Sequence, residues 1–215
     1  DSALNSIKHR GPDSLNYFFS KDINLGFARL SIQDLSQISN QPIKHPSEKF
    51  IMVFNGEIYN HLKLRKYIKK RQNKELLSKS KSDTFTMLAL IEEVGIKKTL
   101  SMIQGMFSLV VYFFKEKNLF LIRDHFGQKP LFYTFENEKF IFGSEIKSLL
   151  LLKDKSLSID KPSIVLPLLQ TYLPDSDRTI FKSIHEVLPG ELIVINKNLN
   201  LKRDTYFEPS NLISE

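Results

Sequence analysis

Residues 106–143 read MFSLVVYFFKEKNLFLIRDHFGQKPLFYTFENEKFIFG, and this stretch decides the fold class. It holds four apolar runs rich in aromatic and β-branched residues: Met106 to Phe114, Leu119 to Arg123, Leu131 to Phe135 and Phe140 to Gly143. Each has the length and composition of a strand. The joins between them are short and turn-like, so neighbours pair antiparallel; a parallel pair needs a crossover of about a dozen residues. Helical patterns gather on either side of this stretch instead of alternating with it. The chain therefore reads as α+β, not as a doubly wound α/β protein.

Towards the N-terminus, Phe50 to Phe54 is a further strand that runs into Asn55-Gly56, a turn signal. Tyr17 to Phe19 and Leu25 to Ile32 are strands, and Gln33 to Ser47 is a polar loop holding Pro42 and Pro46. Residues 1 to 8 read as the end of a helix, closed by a turn at His9-Arg10-Gly11-Pro12-Asp13-Ser14. Apolar residues at 64, 67 and 68 mark one helix face within Leu62 to Lys70. Ser82 is suited to cap a helix that Asp83 opens and Phe85, Leu88 and Ala89 continue. Towards the C-terminus, Glu145 to Leu152 is a helix, and Pro162 opens another through Gln170. Leu192 to Ile195 and Lys202 to Phe207 are late strands.

Composition narrows the class. The 215 residues are 41% hydrophobic and 26% charged, with 17 Phe, enough to build a core and to exclude global disorder. The longest apolar stretch, Met106 to Phe114, is nine residues with Ser108 within it, too short to span a bilayer. There is no cysteine, which excludes disulfides, Cys-ligated metals and a Cys nucleophile within these residues. The net charge is +7, concentrated between His61 and Lys81, where nine Lys or Arg face one acid, Glu75. Lys outnumbers Arg 24 to 7, whereas nucleic-acid readout leans on Arg forks. That segment reads as a solvated helix face plus loop, with neither nucleic acid nor membrane as partner.

The usual catalytic signatures (GxGxxG, GxxxxGK[ST], HExxH, GxSxG) are missing, and the five His residues show no metal-ligand spacing. No metal site is expected. Polar residues where strands meet turns stand out instead. Arg29 lies in an otherwise apolar strand, either snorkelling from an edge or held as a fork for a carboxylate. Asn55-Gly56-Glu57 is either a plain Asn-Gly turn or a pair of oxyanion donors, the Asn amide and the Gly N–H. Asp83 either compensates the helix dipole or pairs with a substrate ammonium. Arg123-Asp124, ahead of Gly127 and Pro130, reads as an internal ion pair holding a turn. Together these point to a site for a molecule with an amide, a carboxylate and an amine.

An ordered set of blocks carries a resemblance. The set is His9-Arg10-Gly11-Pro12-Asp13-Ser14, then Ala28 to Ser36, Gln41-Pro42-Ile43, Phe54 to Asn60, Ser82-Asp83-Thr84, Gly105-Met106-Phe107, Arg123 to Leu131, Ser144 to Leu149, Ile180 to Lys182 and Leu188-Pro189-Gly190. In this order and spacing, over nearly the whole chain, it resembles the class II glutamine amidotransferase domain of glutamine-hydrolysing asparagine synthetases.

The resemblance implies a four-layer αββα N-terminal-nucleophile hydrolase sandwich of two antiparallel sheets. It implies an N-terminal Cys attacking the glutamine side-chain amide, with its own α-amino group as base and then acid. By the same resemblance, Arg29 grips the glutamine α-carboxylate, Asp83 and Glu57 receive its α-ammonium, Leu30 and Ile32 line the pocket, and Asn55 with the Gly56 N–H forms the oxyanion hole. The released ammonia passes to a second domain, where ATP and Mg support amidation of aspartate; the parent is then a carbon–nitrogen ligase. Residues 1–195 form the amidotransferase domain without its nucleophile-bearing strand, and 196–215 its last strand and the start of a linker. Glutamine and the synthetase domain are the expected partners, a homodimer is compatible, no cofactor is expected within these residues, and the location is cytoplasmic.

Two departures follow. The nucleophilic Cys is missing, so this piece alone is expected not to hydrolyse glutamine, and the synthetase domain is absent, both ends reading as cut. Loss of an interior strand is expected to expose a sheet edge and make the piece associate with itself. A second reading is a non-catalytic glutamine-binding or scaffold module of an ammonia-dependent synthetase-like protein.

Overall fold

The computed structural model describes residues 1–31, 36–68, 74–153, 157–168 and 176–212. In chain order the first elements are α1 (Ser2–Ser6), β1 (Ser14–Phe19), β2 (Asn24–Arg29), β3 (Ile43–Lys44), β4 (Phe50–Ile58), α2 (His61–Ile68), α3 (Lys74–Lys79) and α4 (Asp83–Leu100). Next come β5 (Gly105–Phe113), β6 (Asn118–Arg123), β7 (Phe132–Glu136), β8 (Lys139–Gly143), α5 (Ile146–Leu150) and α6 (Lys161–Leu168). The last are β9 (Ile184–Glu186), β10 (Glu191–Ile195) and β11 (Leu201–Thr205).

β4 and β5 pair antiparallel from Phe50↔Phe113 to Ile58↔Gly105 and form the heart of a six-stranded sheet, ordered β11-β10-β6-β5-β4-β3. β5 is buried on both faces, which is why its sequence is a near-continuous apolar run and not an alternation. On one face, α2 and α4 cover Phe50, Met52, Phe54, Phe107 and Leu109. On the other face, Ile51, Val110, Leu121 and Ile193 meet Leu25, Leu131 and Tyr133 from the second sheet layer.

That second layer consists of two separate antiparallel ladders, β1-β2 and β8-β7-β9. α1 and α5 pack together outside them, α1 also against β2 and α5 against β7 and β8. The order of layers is thus helix, sheet, sheet, helix, as the resemblance implies.

α4 is buried all round from Asp83 to Ile91 because sheet, α2 and α3 surround it, and its residues there are apolar or small. Ser82 caps it, its hydroxyl accepting the Phe85 N–H at 3.4 Å. Gly95, at φ 75°, interrupts the helix.

Several readings of the sequence change. Asn55-Gly56 is not a turn: both residues continue β4 to Ile58, because pairing with β5 runs past them. Arg123 and Asp124 are not paired with each other. Arg123 pairs with Glu186 at 2.6 Å and donates to the Lys129, Gly127 and Val187 carbonyls. Asp124 accepts four backbone N–H groups, from Phe107, Phe126, Gln128 and Lys129. The 61–81 segment is not wholly solvated, since Arg65 is buried and donates to Ser80 O at 2.9 Å and Thr86 Oγ1 at 3.3 Å. α3 and the short β9 went unread, and β3 (Ile43–Lys44) lies within what the sequence reads as the polar loop Gln33 to Ser47, because it pairs with β4. The strand from Leu25 ends at Arg29, and Ile32 lies outside the described residues, as do residues 169 and 170 of the predicted Pro162 helix.

Candidate active site

A cleft of about 1480 Å³ opens between the two ladders of the second layer. Every residue of β2 and of β8 lines it, so the edge of each strand away from its partner borders the cleft. Arg29, Leu30, Asn55, Gly56, Glu57 and Asp83 all line it as well. These are the residues the sequence singled out, drawn from three elements far apart in the chain; Ile32 alone lies outside the described residues.

The geometry is built on β4. Its Tyr59 N–H donates to Gln104 O at 2.8 Å, which sets the phase of the β4-β5 ladder. Hydrogen-bonded pairs then alternate as Glu57–Met106 and Asn55–Ser108. Gly56, opposite Phe107, turns its N–H and C=O to the other edge of β4. On that edge, Phe54 is already satisfied: its C=O accepts from Gln41 Nε2 at 2.9 Å and its N–H donates to Gln41 Oε1 at 2.5 Å. Ile58 is satisfied too, donating its N–H to Asp83 Oδ2 at 2.9 Å. The Gly56 peptide therefore faces the cleft edge between the Gln41 amide and the Asp83 carboxylate.

Only glycine fits there. A Cβ on Gly56 would stand 2.1 Å from Met106 O and 2.6 Å from Phe107 Cα. Side chains along β4 alternate, with Phe50, Met52, Phe54 and Ile58 in the helix-side core and Ile51 and Val53 in the inter-sheet core. Asn55 and Glu57 continue the inter-sheet face, where the cleft lies.

Arg29 closes β2 and is 8% exposed, so it does not snorkel. Its guanidinium donates to Ser36 O at 2.9 Å and to Asn40 Oδ1. Leu30, just beyond, is 53% exposed. Asp83 is 5% exposed, and besides Ile58 it accepts the Thr84 N–H at 2.8 Å. Burial pushes its carboxyl above the usual carboxylate range, against the pull of the Ile58 and Thr84 N–H groups and His61 and with the push of Glu57. An ionised carboxylate has about four acceptor positions. Two are used by backbone, so Asp83 keeps capacity for a cation.

The arrangement presents a guanidinium, a half-satisfied carboxylate and a peptide edge beside an Asn amide in one cleft. Those groups suit the carboxylate, ammonium and amide of an α-amino acid amide. The sequence reading missed Ser39, Asn40 and Gln41 as shapers of this cleft, although Gln41-Pro42-Ile43 was among its blocks. A family model described as a glutamine amidotransferase domain matches residues 1–207.

The chain belongs to the glutamine amidotransferase family.

Among related proteins, this amidotransferase domain is 33% identical to the glutamine-hydrolysing asparagine synthetase 1 of Bacillus subtilis, over 94% of the chain and 31% of that protein. It is 38% identical to asparagine synthetase 2 of the same organism over 67% of the chain and 18% of that protein. It is 30% identical to the amidase chyE of Penicillium rubens over 97% of the chain and 30% of that protein. The chain thus spans about a third or less of the length of these relatives. In solved structures its fold matches an allosteric regulatory enzyme of purine biosynthesis, with TM-score 0.59 and 18% identity over 85% of this chain and 35% of that one. It also matches the glutamine phosphoribosylpyrophosphate amidotransferase of B. subtilis, with TM-score 0.57 and 18% identity over 85% of this chain and 34% of that one. The N-terminal-nucleophile amidotransferase sandwich is the fold of this chain. No helix among the described residues is long and apolar enough to cross a membrane.

Proposed function

We propose that this domain binds L-glutamine in the cleft and serves as the glutaminase part of a glutamine-hydrolysing asparagine synthetase. The observation that carries the reading is the conjunction in one cleft of Arg29, Asp83 and the edge-facing Gly56 peptide beside Asn55. Arg29 pairs with the α-carboxylate through its fork. Asp83, with Glu57 near it, receives the α-ammonium in the acceptor positions that Ile58 and Thr84 leave. Leu30 borders the ligand.

The side-chain amide then lies against Asn55 and Gly56. Attack on its carbonyl carbon places negative charge on the oxygen, and the Asn55 Nδ2 and Gly56 N–H stabilise that charge as fixed donors. The C–N bond breaks as the amide nitrogen takes from the nucleophile's α-amino group the proton first drawn from the thiol and leaves as ammonia, and water hydrolyses the acyl-enzyme to glutamate. The attacking group in this reading is a cysteine thiolate, which the 215 residues do not supply. This piece alone is therefore inactive. In the parent protein, ammonia is used by a synthetase domain with ATP and Mg to amidate aspartate. Residues 1–195 with the last strand of the 196–215 segment form the domain, the rest of that segment starts the linker, and the protein works in the cytoplasm. A second reading is a domain that binds glutamine without hydrolysing it.

The test is intact mass and N-terminal sequencing of the full-length natural product, with a glutaminase assay. An N-terminal Cys with a free amine, and activity lost in Arg29→Ala, supports the first reading. Glutamine binding without hydrolysis, and no such Cys, supports the second. Failure to bind glutamine overturns both.

A further inference from the structure

Three buried hydroxyls join the two halves of the cleft. Ser39, Ser80 and Ser82 are 6%, 7% and 5% exposed. Ser39 Oγ lies 3.2 Å from Ser80 Oγ. Ser80 Oγ donates to Ser82 Oγ at 3.1 Å and accepts the Ser82 N–H at 3.0 Å. A hydroxyl has one proton to donate. Ser80 gives its proton to Ser82, so Ser39 is the donor to Ser80, and the chain runs one way towards the start of α4.

Each end of this chain meets one arm of the cleft. At the first end, residues 36–41 supply Ser36 O and Asn40 Oδ1 to Arg29, and Gln41 to the β4 edge. At the other, Ser82 Oγ caps α4 by accepting the Phe85 N–H, and the next residue is Asp83. Arg65 holds the middle, donating to Ser80 O at 2.9 Å and Ser82 O at 3.4 Å. Ser39 and Ser82 line the cleft, and Ser80 does not. Ser80 therefore touches a bound ligand only through its neighbours.

We infer that Ser80 is a positioning residue: through Ser39 and Ser82 it sets the separation of the Arg29 guanidinium from the Asp83 carboxylate. It thereby makes the cleft selective for ligands that carry a carboxylate and an ammonium on the same carbon. The inference rests on the reading of the cleft as an α-amino acid site. Removing the Ser80 hydroxyl deletes at least these three contacts inside a buried region, where each is costly to leave unmade. The two arms then lose their common reference, and a ligand that needs both loses more than a ligand that needs one.

The test uses the full-length protein and two ligands with no amide to hydrolyse: L-glutamate, and glutarate, which is glutamate without its α-amino group. Titration calorimetry gives the ratio of their affinities. The wild type is expected to prefer L-glutamate. Ser80→Ala is expected to cut that preference about tenfold, and Ser80→Thr, which keeps the hydroxyl, to retain most of it. Ser78→Ala, on the exposed side of α3, is expected to leave it unchanged. Ser39→Ala breaks the chain at its far end and carries the same expectation if Ser80→Ala does not fold. A purely structural role for Ser80 lowers the melting temperature and leaves the ratio alone. An unchanged ratio with L-glutamate still bound overturns the inference and spares the cleft reading; a wild type that binds neither ligand overturns both.

Discussion

Asp83 and Asp124 are both buried aspartates near strand ends of one sheet, and they are used in opposite ways. Asp124 is 0% exposed and its two oxygens accept four backbone N–H groups, from Phe107, Phe126, Gln128 and Lys129. Its acceptor capacity is full, and it lies away from the cleft. Asp83 accepts two N–H groups and lines the cleft. The two arginines differ in place. Arg123 is spent on three carbonyls and Glu186, tying the 123–129 turn to β9 and the residue after it. Arg29 lines the cleft at the end of β2. A saturated buried charge holds a fold together; a buried charge with capacity left over can hold a ligand.

Four substitutions or conditions test this contrast. Asp124→Ala orphans four backbone donors, that of Phe107 in a buried contact and three in part-buried ones, and unfolding in urea should show a loss of about 3 kcal/mol or more. A loss below about 1 kcal/mol would mean that the turn does not depend on the carboxylate. Arg29→Ala is expected to weaken glutamine binding about 100-fold, with a far smaller effect for any folded Asp124 variant. If the two act alike on affinity, the assignment of Arg29 to the carboxylate is wrong. Asp83→Asn should weaken binding about tenfold while costing less stability than the Asp124 change, because fewer donors lose an acceptor.

The smallest effect is in pH. Burial raises the Asp83 carboxyl above its ordinary value. As pH falls through that raised value the free protein takes up a proton, which an ammonium ligand must displace. Glutamine affinity should therefore begin to fall at a higher pH than an ordinary Asp, near about 3.9, would give. The slope should vanish in Asp83→Asn; a slope that persists assigns the titration to another group.

Much of this was legible in local pattern. The strand runs of 106–143, the Ser82 cap and Asp83 at the start of α4 depend on nearby residues, and the structure places them as read. Asn55-Gly56 was misleading because the Asn-Gly signal is local, whereas its extended form is imposed by β5 some fifty residues further on. Arg123 and Asp124 suggested each other by adjacency, yet their partners lie across the turn and on β9. Ser39 and Ser80 carried no signal at all: a serine in a polar loop looks the same whether its hydroxyl meets water or another buried hydroxyl. The three-residue β9 is too short to show a period.

The central claim is that Arg29, Asp83 and the Asn55–Gly56 edge grip three different groups of one amino acid. Three fixed points distinguish mirror images, so the most direct measurement is calorimetric titration with L-glutamine and with D-glutamine. The account predicts that L-glutamine binds and that D-glutamine binds at least about tenfold more weakly, one of its polar groups being left unpaired. Equal affinity for the two, or no binding of L-glutamine, would contradict it.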